Sequence, residues 1–491
     1  MSAANAASDA AAVAAPSTAR RGRGSRPPSG REFDRWLARR RWARAGILYV
    51  VMLVFSLLLL GPLLFATLSS LKTDPLAYPP TLAPPQLSPA NWAAAARLGR
   101  QGAGAPLWGG FEPGADITFE LTYFVPDGVE PAPPDVIVPR RRPGAGLGAV
   151  QQIDYAADYA EVSPAVEVRR EQGSLTVDES EQSGVIVTYA VNLTYPGEGP
   201  DLTRVPLDAT APSRDQVFLR STLPTTRLER RGLVASYDNV SPGALGFVFH
   251  NYRRVMDEAR SVTTGRSLFL SWTANSFFVA IAKVASTLLL ASMAGYALAR
   301  LRFPGRGLIF LLILFAQMIP TQVIFISNYL VLRDGIFGLS RLWGQATVLN
   351  SLWGVILSGL VGAGAVFIMK QFFESIPREV EEAAMLDGAS QWQRYANVVL
   401  PMARPALGAL TILTFQGAWN DFFWPLVVLT TPEDVKTLPI GLLSFRNAYA
   451  GAGDWGLILA GAVLSALPII VLFLVFQRYF LEGVSYGVGK D

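Results

Sequence analysis

The feature of this sequence that most constrains its fold is a run of 27 residues, 45–71, that contains no aspartate, glutamate, lysine or arginine. A helix needs about 20 predominantly apolar residues to cross the hydrocarbon core of a bilayer, so the run predicts a membrane-spanning helix. It is too long for the apolar part of a cleavable signal peptide, and no small-residue cleavage site follows it. We therefore expect this segment to remain in the membrane as an anchor.

Five further windows are apolar over the length of a span, which brings the predicted number of transmembrane helices to six. After a first span at 46–68, they cover residues 273–298, 308–332, 352–372, 407–429 and 457–476. Only 16% of the residues are charged, against about 25% in soluble domains. The predicted fold class is therefore an all-α integral membrane protein, and an even number of spans places both termini on one side.

The distribution of basic residues indicates which side that is. Arginines are concentrated in a tail, residues 1–44, and in short loops between spans, such as the loop with Arg300, Arg302 and Arg306. Cytoplasmic loops carry such an excess, so we predict a multi-pass protein with both termini in the cytoplasm. The Ala-, Ser-, Pro- and Arg-rich tail is expected to be disordered. Because it has no aromatic-interleaved motif, we expect no nucleic-acid partner.

The segment 93–250 differs in composition from the rest of the chain. It contains 20 acidic residues and 13 arginines, a net charge of −7. The stretch DITFELTYFVP alternates apolar and polar residues, and GVIVTYAVNLTY is rich in β-branched and aromatic residues, which predicts strands. The threading of the spans places this β-rich insert outside the cytoplasm, between the first span (45–71) and the second. We expect it either to dock a partner or to be a tolerated insertion without a role.

Several classes of chemistry are disfavoured by the residue types present. The chain has no cysteine and one histidine, His250, so a zinc cluster is not expected. No GxxxxGK[ST] loop occurs, and the chain therefore has no P-loop for the phosphates of a nucleotide. No acid, base and nucleophile are clustered in the sequence. We predict a protein that is not an enzyme, with no catalytic residue, metal site or cofactor of its own.

The segment 376–401 has a polar, helical pattern although apolar spans lie on both sides. Glutamates in its first turn complement the helix dipole, and Gly388 suits the positive φ of a helix end. Ser390 and Gln393 form a capping box for a second helix, which we expect to stop at Pro401. Two short helices joined at an elbow are therefore predicted. The apolar face of the first is expected to consist of Ile376, Val380, Ala383 and Ala384.

The spacing within this segment resembles the EAA loop of ABC importer permeases. Glu382-Ala383-Ala384 is followed after three residues by Gly388, and after nine more by Val398-Val399-Leu400-Pro401, the full EAA-x3-G-x9-[I/V]-x-LP pattern. Four stretches in order resemble carbohydrate-uptake permeases of the type of the smaller maltose-transporter permease subunit: SSLKTDPLAYPPTLAP, GYALARLRFPGR, WNDFFWPLVVL and FQRYFLEGVSYGVGK. The resemblance covers residues 46–92 and 247–491. That family usually has only a short segment where this chain carries its insert.

The resemblance implies a type I ABC importer permease fold in a bacterial cytoplasmic (inner) membrane, with residues 251–491 as the core. It implies that ATP and Mg are bound by a separate dimer of ATP-binding subunits, and that a second permease subunit and an extracytoplasmic solute-binding protein complete the system. The implied cargo is a sugar of the maltose or oligosaccharide type. The residues implied to couple to the ATPase are Glu382, Ala383, Ala384, Gly388, Leu400 and Pro401.

Among ionisable residues inside predicted spans, where charges are costly and usually functional, two stand out. Asp421 lies in the fifth span with Gln416 and Asn420 on nearby turns. These three side chains either line a sugar path or bond backbone groups that the following proline leaves free. Lys283 lies in the second span, and we expect its ammonium either to snorkel to the outer interface or to pair with Asp421.

Two alternatives to an importer subunit are weighed against these patterns. An amphipathic helix lying on membrane lipid would explain the polar segment 376–401, but such helices are usually basic on their polar face and this one is acidic. An ion-coupled secondary transporter of a small polar solute would need internal repeats and coupling carboxylates, for which Asp421 alone is thin support.

Overall fold

The structure is a computed structural model, and it describes residues 31–72, 84, 88–99, 116–138, 140–142, 152–154, 161–177, 180–194, 205–223, 225–231, 233–240, 243–257, 259–449 and 454–488. The chain divides into two units, Met1–Pro62 and Leu63–Asp491. Helix α1 (Arg31–Ser70) contributes residues to both units. Its apolar side chains from Ile47 to Leu60 are exposed, as expected of a helix surrounded by lipid.

The start of α1 corrects one prediction. The tail was expected to be disordered as far as residue 44, but the helix begins at Arg31. The stretch EFDRWLARRRW contains several good helix formers and is continuous with the span, so the helix extends through it. Residues 1–30 lie outside the described part of the chain.

The insert contains strands paired in antiparallel sheets. Their bounds are β1 Asp116–Pro126, β2 Asp135–Ile137, β3 Arg140–Arg142, β4 Gln152–Asp154, β5 Glu161–Val162, β6 Val166–Val177, β7 Ser180–Thr194, β8 Val205–Thr210, β9 Val217–Ser221, β10 Thr225–Arg231 and β11 Val234–Val240. One sheet has the order β5-β7-β1-β9, with β6 also paired to β7, and another the order β10-β11-β8-β2. Strands β3 and β4 pair with each other.

A buried cluster joins the two larger sheets. On β1, Phe119 and Leu121 are buried opposite Val191 and Tyr189 of β7, and Ala235 of β11 belongs to the same cluster. The strands predicted from the alternation of apolar residues are therefore present. The side of the membrane on which the insert lies stays a prediction.

Helices form the remainder of the described chain. Their bounds are α2 Pro89–Gly99, α3 Ala244–Val248, α4 His250–Asp257, α5 Leu268–Arg300, α6 Arg306–Met318, α7 Thr321–Arg333, α8 Leu352–Leu357, α9 Ala363–Ser375, α10 Arg378–Leu386, α11 Gln391–Gln393, α12 Leu400–Met402, α13 Arg404–Trp419, α14 Phe423–Val428, α15 Leu438–Tyr449 and α16 Trp455–Val488. Short 3-10 helices lie at Leu339–Trp343 and Glu433–Val435, and a π-helical stretch at Arg394–Val399.

The predicted count of six spans is not confirmed. Among the described residues, three helical segments are long and apolar enough to cross a membrane: Ala45–Ser70, Leu268–Arg300 and Trp455–Gln477. Two bent pairs pass when each is taken as one span, α6 with α7 at a bend of 100° and the segment Gln391–Met402 with α13 at 74°. Length and composition therefore give three to five spans.

The predicted fourth and fifth spans are both interrupted. Five residues separate α8 from α9, and three residues separate α13 from α14. At the first interruption, Ser286 Oγ and Thr287 Oγ1 of α5 donate to Leu360 O at 2.7 and 3.3 Å. Backbone groups freed within a membrane need such partners, so hydroxyls of α5 stabilise the broken fourth span.

The loop before α5 is fixed by the carboxylate of Asp434. This group accepts hydrogen bonds from Ser261 Oγ, Thr263 Oγ1 and Thr264 Oγ1 at 2.7, 2.6 and 3.3 Å. Burial pushes the pKa of Asp434 upward, but the hydroxyl hydrogen bonds outweigh burial and hold the pKa below its ordinary value. The resulting stabilisation is present above the pKa of the unfolded chain and is lost as the pH falls through the lower folded pKa.

A buried polar joint connects α4 with the start of α16. Arg254 Nη1 donates to Asp454 Oδ1 at 3.1 Å, and the two side chains are only 7% and 6% exposed. Beside them, Asn251 Nδ2 donates to the carbonyls of Ser70 and Lys72 at 2.8 and 2.9 Å. The joint therefore also holds the end of α1.

We expect Asp454→Asn to destabilise the protein by about 3 kcal/mol, because it removes the negative charge that faces the buried guanidinium of Arg254. Unfolding in mild detergent measures the change. The matched control is Glu167→Gln, which breaks the exposed pair with Arg170 and is expected to leave stability unchanged. Equal unfolding midpoints for both variants and the wild type would contradict a stabilising role for the buried pair of Arg254 and Asp454.

Candidate functional site

The two predicted elbow helices are present, and their junction has the predicted geometry. Helix α10 ends at Leu386, and Gly388 has a φ of +81°. Ser390 Oγ accepts from the backbone N–H of Gln393 at 3.3 Å, and Gln393 Oε1 accepts from the N–H of Ser390 at 2.8 Å. The positive-φ glycine and the capping box are therefore both confirmed.

The second elbow helix does not stop at Pro401 as predicted. It runs from Gln391 to Met402 through the π-helical stretch Arg394–Val399, in which the N–H of Leu400 donates to Tyr395 O. Proline in an α-helix clashes with the carbonyl four residues earlier, and the wider turn just before Pro401 changes that spacing. The bend falls after Met402 instead.

Arg300, at the end of α5, anchors the elbow. Its Nε lies 2.9 Å from Glu381 Oε1, and the two side chains are 7% and 11% exposed. Its Nη2 donates to the carbonyls of Phe373 and Ile376, which are at the C-terminal end of α9. One guanidinium thus donates hydrogen bonds to free carbonyls of α9 and neutralises the charge of the carboxylate of α10.

The sequence analysis missed this anchor. It assigned Arg300 to membrane topology and Glu381 to the helix dipole, and it placed Ala383 on the buried face. In the structure Glu381 is buried and Ala383 is exposed. No local signal marked it, because Glu381 lies five residues after Ile376 and so off the predicted apolar face, and the arginine that neutralises it is distant in the sequence.

Small residues that precede Arg300 in α5 bring α5 and α9 into close contact. Ala291, Gly295 and Ala299 recur at four-residue intervals along α5. A Cβ at Gly295 would lie 2.7 Å from Met369 Cβ, closer than real contacts allow. Such small-residue stripes let helix backbones pack tightly within membranes. The elbow is also held from α5 by Ser292 Oγ, which lies 2.8 Å from the hydroxyl of Tyr395.

The predicted coupling residues lie on the outer side of the anchored elbow. Glu382, Ala383, Gly388 and Pro401 are exposed, whereas Ala384 and Leu400 are half-buried. Exposed small residues beside a carboxylate form a surface that a partner protein can approach closely. The structure therefore brings these six residues onto one elbow, and their role in coupling stays a prediction.

A basic cleft opens beside the elbow. Its volume is about 1030 Å³, and its lining includes five arginines and two glutamates: Arg300, Arg302, Arg306, Arg378, Arg394, Glu381 and Glu382. Glu381 is engaged with Arg300, so the remaining arginines outnumber the remaining carboxylate. The cleft suits acidic side chains or other anions.

The structure places Lys283 and Asp421 together in the membrane region. Lys283 Nζ lies 3.4 Å from Asp421 Oδ2, and the side chains are 12% and 25% exposed. Lys283 is fifteen residues into α5, about 22 Å along the helix axis, and its ammonium lies beside Asp421, as one of the two predicted alternatives has it. Of the other predicted path residues, Gln416 and Asn420 are exposed.

Comparisons with known proteins identify relatives of this chain. Residues 288–486 match the family described as binding-protein-dependent transport system inner membrane component. The arabinooligosaccharides transport system permease protein AraQ of Halalkalibacterium halodurans is 34% identical over 271 residues, 55% of this chain and 88% of that protein. The diacetylchitobiose uptake system permease protein NgcG of Streptomyces coelicolor is 34% identical over 215 residues, 43% and 67% of the two chains. A solved bacterial ABC transporter involved in alginate import matches 49% of this chain and 82% of its own with 27% identity and a TM-score of 0.40.

The fold and the elbow define a transmembrane permease subunit, which does no catalysis itself, of a binding-protein-dependent ABC importer. The chain belongs to the family of binding-protein-dependent transport system inner membrane components. The resemblance noted in its sequence is thereby confirmed, and the secondary-transporter alternative is not favoured.

We expect Glu381→Gln to destabilise the protein by about 3 kcal/mol, because it leaves the buried charge of Arg300 without its carboxylate. Arg300→Met should be more severe, since it also exposes the free carbonyls of α9. Unfolding in detergent measures both. The neighbouring Glu382→Gln is the matched control, and because Glu382 is exposed it is expected to have no effect. A Glu382→Gln variant as unstable as Glu381→Gln would contradict the anchor.

Proposed function

We propose that this chain is one of two permease subunits of a sugar importer, and that it transmits ATP-driven movement through the elbow of residues 378–402. The observation that carries the proposal is the construction of the elbow. Its inner side is bound to α5 and α9 by the buried pair of Arg300 and Glu381, while Glu382 and Ala383 remain exposed on its outer side. A partner that moves the outer side therefore also moves the membrane helices.

The partner proposed for the elbow is a dimer of ATP-binding subunits that holds ATP and Mg. The basic cleft supports this assignment, because its arginines are suited to acidic side chains of a docking surface. A partner in the cytoplasm requires the elbow to face that side, and the basic loop at Arg302 and Arg306 favours the same orientation. Both termini are then cytoplasmic.

The proposed cargo is a carbohydrate of the oligosaccharide class. Relatives named for arabinooligosaccharides, diacetylchitobiose, maltodextrin and trehalose or maltose support this choice. Within this chain we assign Gln416, Asn420 and Asp421 to the path of the cargo, because amides and carboxylates bond sugar hydroxyls and these side chains are exposed or half-buried.

We further propose that the insert docks the extracytoplasmic solute-binding protein. Its net charge of −7 favours a partner surface that is rich in basic residues. Its two ends are held together, since the N–H of Gly243 before α3 donates to Ala95 O in α2 at 2.8 Å. The two ends of the insert therefore lie close together where it joins the rest of the chain.

The elbow assignment predicts that Ala383→Arg releases the ATP-binding subunits from the purified complex. A long charged side chain prevents close approach at an exposed alanine without disturbing the buried anchor, so the midpoint of unfolding should not change. Co-purification of the tagged chain from its native membranes, with mass spectrometry, gives the result. The control is Val262→Arg at an exposed residue before α5. Retention of the ATPase by the Ala383→Arg complex would reject the elbow as the coupling joint.

The docking assignment predicts that deletion of residues 103–240 weakens binding of the solute-binding protein about tenfold. A short Gly/Ser linker can replace the deleted part because the contact between Gly243 and Ala95 lies outside it. Binding is measured on the complete complex in nanodiscs. Co-purification of the ATPase serves as the control for folding. Unchanged affinity would mean that the insert is a tolerated insertion.

A further inference from the structure

A polar junction lies at the centre of the membrane helices. Lys283 is near the middle of the 33-residue helix α5. A Cβ at Gly359, in the break between α8 and α9, would lie 3.7 Å from Lys283 Nζ. Asp421, in the break between α13 and α14, lies 3.4 Å from the same ammonium. The breaks in two predicted spans therefore lie beside the same pair of opposite charges, Lys283 and Asp421.

The charges are not needed to repair the broken helices. Hydroxyls of Ser286 and Thr287 serve the carbonyl of Leu360 in one break, and Trp424 Nε1 donates to Gly354 O beside it. Within the described part of the chain, the ammonium of Lys283 and the carboxylate of Asp421 bond to each other and to no backbone group. A purely structural role therefore leaves the pair unexplained.

The pair also keeps unused hydrogen-bonding capacity. Its separation of 3.4 Å is longer than the roughly 2.7 to 2.9 Å of a tight charge-assisted hydrogen bond. An ammonium has three donors and a carboxylate about four acceptor positions, and one long contact fills few of them. Asp421 is one-quarter exposed, and the neighbouring Asn420 is exposed, so this capacity is open to a polar molecule.

We infer that the pair of Lys283 and Asp421 contacts the cargo at mid-membrane and selects carbohydrates without net charge. This inference rests on the proposed sugar-import function and specifies its substrate class. A neutral sugar hydroxyl both donates and accepts, so it can bridge the carboxylate and the ammonium while the charges still neutralise each other. A uronate would compete for Lys283 and leave Asp421 without a counter-charge inside the membrane, which is costly.

The test measures the charge preference directly. The complete importer in nanodiscs is titrated calorimetrically, without the solute-binding protein, with maltotriose, arabinotriose, diacetylchitobiose and trigalacturonate. For the wild type we expect a neutral saccharide to bind at least about tenfold more tightly than trigalacturonate. Asp421→Asn, which leaves the ammonium unneutralised, should lower this ratio about tenfold. Lys283→Met should raise the ratio. If the Asp421→Asn complex does not assemble, the Lys283→Met variant alone tests the inference.

Matched variants separate charge selection from general damage. Asp334→Asn makes the same chemical change in the exposed pair with Arg333 and should not alter the ratio. The double variant Lys283→Met/Asp421→Asn removes both charges, so its ratio should fall between those of the two single variants.

Two sets of results would contradict the inference, and they have different consequences for the proposed sugar import. If neutral saccharides bind but the ratio is the same in all variants, or if the wild type binds trigalacturonate equally well, the selection by this pair is refuted while the sugar importer stands. If no saccharide binds to the wild type and none is imported, the sugar function fails and the inference fails with it.

Discussion

The architecture of this permease depends on one guanidinium. Arg300 closes the free carbonyl end of α9 and neutralises a carboxylate of α10, and it is itself the last residue of α5. A cation at a helix C-terminus and a buried ion pair are each only moderately stabilising. Combined in one side chain, they join three helices at a single point. The position of the elbow relative to the membrane helices is therefore fixed by a polar contact as well as by apolar packing.

This joint has a mechanical consequence for the interior. Helix α5 is continuous from Leu268 to Arg300, and a helix transmits displacement along its axis better than a segmented chain. Small residues at Ala291, Gly295 and Ala299 allow α9 to pack closely against it. Lys283, halfway along α5, thus shares a rigid element with the elbow, although α8, α9, α13 and α14 are short and separated by breaks. A movement imposed on the elbow reaches the polar junction through one unbroken helix.

Features that depend on neighbouring residues could be predicted from the sequence. The strands of the insert follow from alternation, the turn at Gly388 from the backbone freedom of glycine, and the cap at Ser390 from a three-residue spacing. The features that could not be predicted depend on distant partners. Glu381 is buried because Arg300, 81 residues earlier, compensates its charge. The breaks within the fourth and fifth spans are hidden in apolar composition, because the hydroxyls that make one of them tolerable lie on another helix.

The pair of Lys283 and Asp421 likewise depends on residues that are distant in the sequence, and it points to a functional role. The sequence suggested the pair as one of two alternatives, and only the fold brings Lys283 Nζ to 3.4 Å from Asp421 Oδ2. Stability does not explain the pair, because a well-packed apolar pair is often as stable as a buried ion pair or more so. Nor does repair of the broken helices, since within the described part of the chain neither charged group bonds to the backbone. A costly group that neither stabilises the fold nor satisfies its backbone is best explained by what passes beside it, and a cation and anion held 3.4 Å apart suit a molecule that presents donors and acceptors together without a charge of its own.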